Sequence, residues 1–93
     1  MTSRNELMDL LAKTYPGMFL KTTEEFSSTM SNGIWTSAEN GDEAKDGFNL
    51  FDYYSENYKR YDLGVHVELV ALLDECGWYA EWYDGGTVML WPE

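Results

Sequence analysis

The first hydrophobic positions of the chain repeat with helical spacing. Leucines recur at intervals of three and four residues near the start, which is the pattern of an amphipathic helix. Ser3 and Glu6 have the spacing of a capping box, in which two side chains satisfy free N–H groups at a helix start. Pro16 ends the pattern because it has no N–H to donate. The sequence therefore predicts a helix over residues 4–14.

The middle of the chain alternates between short structured segments and polar ones. Residues 18–21 are apolar and favour an extended conformation, and Thr22 with Thr23 can start a second, shorter helix. Strand-forming residues predict one strand over 34–37 and a second over 49–54. Between these strands, residues 39–47 are charged and carry two glycines, which predicts a mobile loop.

A third helix and a hairpin are predicted for the C-terminal part. Asp62 can cap a helix that runs to Cys76 and ends at Gly77, with its apolar positions on one face. Residues 78–83 and 87–91 flank Asp84-Gly85-Gly86, which is typical of a β-hairpin. Trp78 and Tyr79 begin the two alternating faces of its first arm. The prediction is a single acidic α+β domain over residues 1–93, with a small antiparallel sheet (two strands plus the C-terminal hairpin) packed against two main helices.

The net charge of the chain says more about its partners than any sequence motif does. The chain has 17 acidic and six basic residues among 93, which gives a formal net charge of −11. Such a surface repels nucleic acid and anionic membrane and favours a basic protein partner. Hydrophobic residues reach 44% and aromatic residues 16%, which argues against disorder.

Cysteine content and apolar run lengths indicate the compartment. Cys76 is the only cysteine, so no intrachain disulfide can form, and a reducing, cytosolic compartment is expected. The first apolar stretch is short and has no basic leader, so we expect no signal peptide. No apolar run has the length of a membrane span.

No residue pattern predicts catalysis, a cofactor or a metal. His66 and Cys76 would lie about 15 Å apart along one helix and on different faces, so they cannot form a catalytic dyad. A structural role for both residues is the favoured interpretation. The loop acids around Asp42 and Asp46 lack the ligand spacing of a calcium-binding EF-hand loop. We therefore expect a protein that is not an enzyme.

The acidic and aromatic residues are the candidate partner contacts. Carboxylates spread over a surface can imitate a phosphate backbone, and Tyr and Trp beside them are typical of protein interfaces. The candidate residues are Glu39, Asp42, Glu43, Asp46, Asp52, Glu56, Asp74, Glu75, Tyr79, Tyr83 and Trp91. Two alternatives stay open: the acids serve solubility alone, or the chain is a structural module that forms a homodimer through an edge strand or the aromatic hairpin.

One consequence of the mimic hypothesis can be tested directly. Reversing Asp42, Glu43 and Asp46 to lysine is expected to abolish partner binding and to leave the fold intact. The alternative hypothesis of a homodimer instead predicts that Trp91→Ala disrupts self-association.

Four aromatic-rich runs carry a family resemblance. They are Gly33-Ile34-Trp35-Thr36-Ser37, Phe51-Asp52-Tyr53-Tyr54, Gly64-Val65-His66 and Gly77-Trp78-Tyr79-Ala80-Glu81-Trp82-Tyr83-Asp84. The chain resembles, over about residues 30–92, a family of short uncharacterised proteins of bacteriophages and prophages. The resemblance implies no activity, cofactor or catalytic residue. It implies a small accessory protein made in an infected bacterium, one that binds and redirects a host protein. Together with the acidic surface, this predicts a cytoplasmic protein that inhibits or redirects a host protein such as a DNA- or RNA-handling defence nuclease.

Overall fold

The computed structural model describes residues 2–39 and 42–93, and these residues form three helices and six strands. The helices are α1 (Arg4–Thr14), α2 (Thr23–Phe26) and α3 (Val67–Cys76). The strands are β1 (Lys21–Thr22), β2 (Ile34–Ser37), β3 (Tyr61–Asp62), β4 (Val65–His66), β5 (Trp78–Asp84) and β6 (Thr87–Pro92). The predicted α+β fold is confirmed. The predicted mobile loop over 39–47 includes positions 40 and 41, which lie outside the described residues.

The capping box at the start of α1 is confirmed. The Ser3 hydroxyl accepts a hydrogen bond from the Glu6 N–H (3.2 Å), and the Glu6 carboxylate accepts one from the Ser3 N–H (3.1 Å). These bonds satisfy two of the donors that a helix start leaves free. The predicted bounds of the helix agree with the structure, and its fully buried leucines are Leu7 and Leu11.

The main sheet is antiparallel, with the strand order β1-β2-β6-β5. The prediction of a strand over 49–54 is wrong, because the outer position beside β2 belongs to β1. Residues 49–54 contribute only single bridges, at Asn49 and Phe51. Leu50 and Phe51 are both buried, which breaks the in-and-out alternation of a half-buried strand.

The third helix begins later than predicted. Asp62 does not cap it, because β3 and β4 form a small hairpin whose turn residues Leu63 (φ 49°) and Gly64 (φ 81°) are both left-handed. Two such residues make a tight hairpin turn and cannot continue a right-handed helix. The helix is capped instead by His66, whose Nδ1 accepts a hydrogen bond from the Glu68 N–H (3.0 Å). The predicted end at Gly77 is confirmed, with φ of 77°.

The sheet carries apolar side chains on both faces. Trp78, Val88 and Leu90 lie on the face that packs in the main core with the buried leucines of α1 and α3. On the other face, the Trp35 ring lies 5.0 Å from the rings of Phe19 and Phe26, measured between centroids. The predicted alternation of the hairpin is confirmed, since Trp78 is buried and its neighbour Tyr79 is exposed.

Within residues 2–39 and 42–93, no helix is long enough and apolar enough to cross a membrane.

Candidate functional site

Asp46, a predicted partner contact, is held by hydrogen bonds within the molecule. Its carboxylate accepts hydrogen bonds from the Phe48 N–H (3.0 Å), from Arg60 Nε (3.1 Å) and from His66 Nε2 (3.0 Å). Nδ1 of His66 accepts the Glu68 N–H, so the ring proton lies on Nε2 and points at Asp46. The Phe48 N–H, then His66 and Arg60, lower the pKa of Asp46 to about 2. Asp46 thus connects the loop that contains it to His66 at the start of α3.

Asp42 and Asp52 are also engaged internally. Asp42 accepts hydrogen bonds from the N–H groups of Gly17 (2.9 Å) and Glu43 (2.8 Å), and these bonds lower its pKa. Asp52 accepts the Tyr54 N–H (3.3 Å). Lysine at positions 42 and 46 removes acceptors of backbone N–H groups, so we expect the triple reversal to disturb the loop rather than leave the fold intact. Neutral substitutions at exposed acids make a cleaner test.

The low pKa of Asp46 predicts a pH dependence of stability. Since the folded pKa of about 2 lies below the ordinary 3.8, the carboxylate stabilises the fold above about pH 4. That contribution is lost as the pH falls from about 4 towards 2. Asp46→Asn is expected to lower stability at neutral pH and to weaken the loss of stability in this acid range. Urea unfolding at a series of pH values measures both effects.

Glu43→Gln is the matched control for Asp46→Asn. Glu43 is exposed, and its neutralisation removes the same charge from the same loop. We expect this control to retain the acid sensitivity of the parent chain. A parent-like pH profile in Asp46→Asn would show that its hydrogen bonds do not contribute to stability.

Cys76 and His66 both have structural positions at the ends of α3. Cys76 is a buried free thiol on the core side of α3, and His66 caps that helix. Among residues 2–39 and 42–93, no group of three His, Cys, Asp or Glu side chains is arranged to hold a metal ion.

A groove of about 450 Å³ is bounded by α3, the β3–β4 turn and β5. Its floor is apolar, and consists of Val65, Val70, Leu73, Trp78, Ala80 and Trp82. Leu73 and Trp78 are almost fully buried and form the base of the groove. The apolar surface that a partner side chain can reach comes mainly from Val70, Ala80 and Trp82, which are partly exposed.

Three carboxylates line the rim of this groove. Asp62, Asp74 and Glu81 are exposed, and they reach the groove from three different elements. Leu63, which is 86% exposed, also lines it. Among the described residues, no Lys or Arg lines the groove. A concave apolar floor bordered by three carboxylates fits a ligand with an apolar part and a cationic part.

Trp82 holds the end of the groove in place. Its indole Nε1 donates a hydrogen bond to the Leu63 carbonyl oxygen (2.7 Å), and this bond fixes the β3–β4 turn against β5. The ring packs edge-on against Tyr53 (4.9 Å between centroids) and Phe51 (6.0 Å). Gly64 lies so close that an added Cβ would be 3.0 Å from the Trp82 ring. The position of the turn thus depends on a glycine and on one tryptophan.

Most of the net negative charge belongs to the C-terminal segment that supplies the groove residues. Residues 61–93 contain seven acidic side chains and no Lys or Arg, so they carry −7 of the formal −11. The six basic residues all lie at or before Arg60, and three of them pair with acids: Arg4 with Glu24, Lys21 with Glu25, and Arg60 with Asp46. The carboxylates around the groove have no cation of their own segment beside them.

The predicted contact residues divide between several surfaces. Asp74 and Tyr79 line the groove. Tyr83 instead packs on Phe26 (4.8 Å between centroids), and Trp91 donates a hydrogen bond through Nε1 to Glu81 (3.2 Å). The remaining predicted acids (Glu39, Asp42, Glu43, Asp46, Asp52, Glu56 and Glu75) do not line the groove.

Sequence reasoning missed two of the rim carboxylates. The sequence pattern assigns Asp62 to a helix cap, and Glu81 is not among the predicted contacts. The absence of any basic residue after Arg60 is the signal that could have drawn attention to this segment.

Comparisons with known protein families, with curated proteins and with solved structures find no match to this chain. The resemblance to short phage and prophage proteins therefore stays a prediction. A functional hypothesis for this molecule depends on the geometry and charge of its groove.

Proposed function

We propose that this protein is a binding protein that captures a basic segment of a partner protein in the groove between α3 and β5. The observation that carries the proposal is an apolar floor with a rim of three carboxylates, to which no Lys or Arg of residues 2–39 and 42–93 contributes. Lysine and arginine match this combination, because their aliphatic stems cover apolar surface while their charged ends stay in water.

Floor and rim contribute differently to such binding. Apolar area removed from water contributes about 25 cal/mol per Å², so the floor supplies affinity. The rim carboxylates are exposed, and each ion pair there contributes about 0.2–1 kcal/mol. The excess negative charge mainly speeds association with basic partners and excludes acidic ones.

The resemblance to phage proteins supports a biological setting for this proposal. In that setting the partner is a basic protein of the infected bacterium, and the small acidic chain inhibits or redirects it. Such a partner includes enzymes that handle DNA or RNA, because their substrate-binding surfaces are basic.

A nucleic-acid mimic is the second candidate function. The observation that favours it is the run of seven acids without a basic residue in 61–93. A mimic engages many carboxylates at once, so its affinity should fall steeply between about 0.1 M and about 0.5 M salt, where the screening length roughly halves. A ligand held mainly by the apolar floor should lose much less.

Two matched charge variants test the proposed function. The rim variant is Asp62→Asn with Asp74→Asn and Glu81→Gln. The loop variant neutralises three exposed acids away from the groove: Glu39→Gln, Glu43→Gln and Glu56→Gln. Both variants remove the same net charge. The probe is a short fluorescein-labelled peptide of alternating lysine and valine, and its affinity is measured by fluorescence anisotropy.

We expect the rim variant to bind this peptide about 3- to 150-fold more weakly, since three exposed ion pairs together contribute about 0.6–3 kcal/mol. The loop variant should stay within about twofold of the parent chain, because distant exposed charges are screened. The reverse order of the two variants would move the site to the loop acids and favour mimicry. No binding of the peptide by the parent chain would contradict the proposed function.

A further inference from the structure

Strand β5 forms an open edge of the main sheet. The strand order β1-β2-β6-β5 places it at one end, where it pairs with β6 alone. It is seven residues long and includes no proline, whereas the opposite edge strand β1 has two residues. An exposed edge of this kind presents unpaired N–H and C=O groups to which another strand can bind.

One hydrogen bond identifies the residues of β5 whose main-chain N–H and C=O groups point away from β6. The Glu93 N–H donates to the Gly77 carbonyl oxygen (2.9 Å), so this opposed pair is a hydrogen-bonded one. Such pairs alternate along an antiparallel ladder. Tyr79 and Glu81 therefore direct their main-chain groups towards β6, and Ala80 and Trp82 direct theirs outward. Pro92 lies opposite Trp78, where the ladder requires no N–H donor.

The outward groups have no partner from another described element. In the two described ranges, no backbone hydrogen bond from outside β5 and β6 reaches the main chain of Ala80 or Trp82. The nearby β3–β4 turn instead contacts Trp82 through the indole ring.

The groove runs along this same edge. Ala80 and Trp82 line it from one face of β5, and Tyr79 and Glu81 line it from the other. Residues from both faces of a strand can line one cavity only where that cavity passes the strand's edge. The open edge and the carboxylate rim thus belong to one surface.

We propose that the basic segment binds as an extended strand that adds to β5, with hydrogen bonds to the main chain of Ala80 and Trp82. This inference rests on the proposed function and specifies its binding mode. In an antiparallel arrangement, residues opposite Ala80 and Trp82 share their face, so their side chains lie on the apolar floor. The intervening side chains lie beside Glu81, where lysine or arginine is favoured. The segment that fits best alternates apolar and basic residues.

Electrostatic repulsion disfavours a second copy of this chain as the strand that adds to β5. Pairing two β5 edges would bring the rim carboxylates Asp62, Asp74 and Glu81 of both copies together, and each copy carries a net charge of −11. Like charges on paired strands are destabilising, and a basic segment reverses the sign of the interaction.

Amide hydrogen exchange of the isotope-labelled protein, read by NMR with and without the lysine–valine peptide, tests the binding mode. With free peptide at about ten times its dissociation constant, exchange at the Ala80 and Trp82 amides is expected to slow about tenfold. The Tyr79 and Glu81 amides already bond to β6, so their exchange should change little. A peptide of alternating lysine and serine controls for charge without apolar contact, and it should bind more weakly.

A pair of N-methylated peptides provides a readout that does not depend on folding of a variant. In an extended peptide, every second amide N–H faces β5. Methylation of this set of amides should weaken binding at least about tenfold, because it removes the donors that face β5. Methylation of the other set should leave binding nearly unchanged. Equal effects of the two sets, or a uniform change along residues 79–82, would overturn strand addition while leaving groove binding in place.

Two other outcomes also overturn the inference, and each has a distinct meaning. No binding by the parent chain rejects the proposed function together with this mode. Protection of Ala80 and Trp82 that rises with protein concentration in the absence of peptide would identify a second copy as the occupant of the edge.

Discussion

Trp78→Ala is expected to lower the free energy of unfolding by about 3–5 kcal/mol, the usual cost of deleting a large aromatic side chain from a core. Trp78 is 2% exposed and belongs to the main core. Its indole Nε1 also donates a hydrogen bond to the Thr2 carbonyl oxygen (2.8 Å), which ties the beginning of the chain to the start of β5. Because small domains have total stabilities of about 5–15 kcal/mol, this loss is a large part of the whole.

Two further substitutions make the Trp78 experiment specific. Trp78→Phe keeps an aromatic ring in the core but removes the donor to Thr2, so its loss should be intermediate. Tyr79→Ala alters the next residue of β5, whose side chain is 43% exposed, and it should change stability by no more than about 1 kcal/mol. Urea unfolding of the three variants checks the order. A smaller loss in Trp78→Ala than in Tyr79→Ala would contradict the role given to Trp78.

The second large effect is expected at the turn that closes the groove. Gly64 has φ of 81°, and a Cβ at this position would lie 2.9 Å from the Asp52 carbonyl oxygen and 3.0 Å from the Trp82 ring. Gly64→Ala combines backbone strain with overpacking, and each contributes about 1–3 kcal/mol, so we expect a loss of about 2–6 kcal/mol. Affinity for the lysine–valine peptide should fall as well, since the turn and Trp82 line the groove.

Gly47 offers a matched control for this substitution. Its φ is 84°, nearly the same as at Gly64, but a Cβ there would meet no atom within 4 Å. Gly47→Ala therefore reports the conformational strain alone, about 1–2 kcal/mol, and should leave peptide affinity unchanged. Equal losses of stability in the two variants would show that the close contacts around Gly64 carry no energetic weight.

Local signals predicted those elements whose ends are marked by specific residues. The capping box at Ser3 fixed the start of α1, and Gly77 marked the end of α3, because both signals act through neighbouring backbone groups. The hairpin of β5 and β6 was predicted for the same reason, from two alternating arms around two glycines.

The elements that sequence reasoning missed depend on contacts between distant residues. The two residues of β1 form a strand only because β2 pairs with them, and no period can be read from two residues. Residues 49–54 contain strand-forming side chains, but Leu50 and Phe51 are both drawn into the core. The start of α3 was misplaced because the left-handed conformation of Leu63 has no simple sequence signal.

The candidate site was predictable in its chemistry but not in its position. The excess of acids indicated a basic partner, and Asp74 and Tyr79 were among the predicted contacts that line the groove. The choice of loop acids did not anticipate that Asp42 and Asp46 accept hydrogen bonds from backbone N–H groups. Which carboxylates surround a cavity depends on tertiary packing, and their spacing along the chain does not reveal it.

An NMR titration of the labelled protein with the lysine–valine peptide shows directly whether the groove between α3 and β5 binds a basic, partly apolar segment. A glutamate–valine peptide is the matched control. We expect shifts concentrated on the rim and floor of the groove, around Asp62, Asp74 and Trp82, and none with the acidic peptide. Shifts confined to the loop acids around Glu43, or equal responses to the two peptides, would contradict the account.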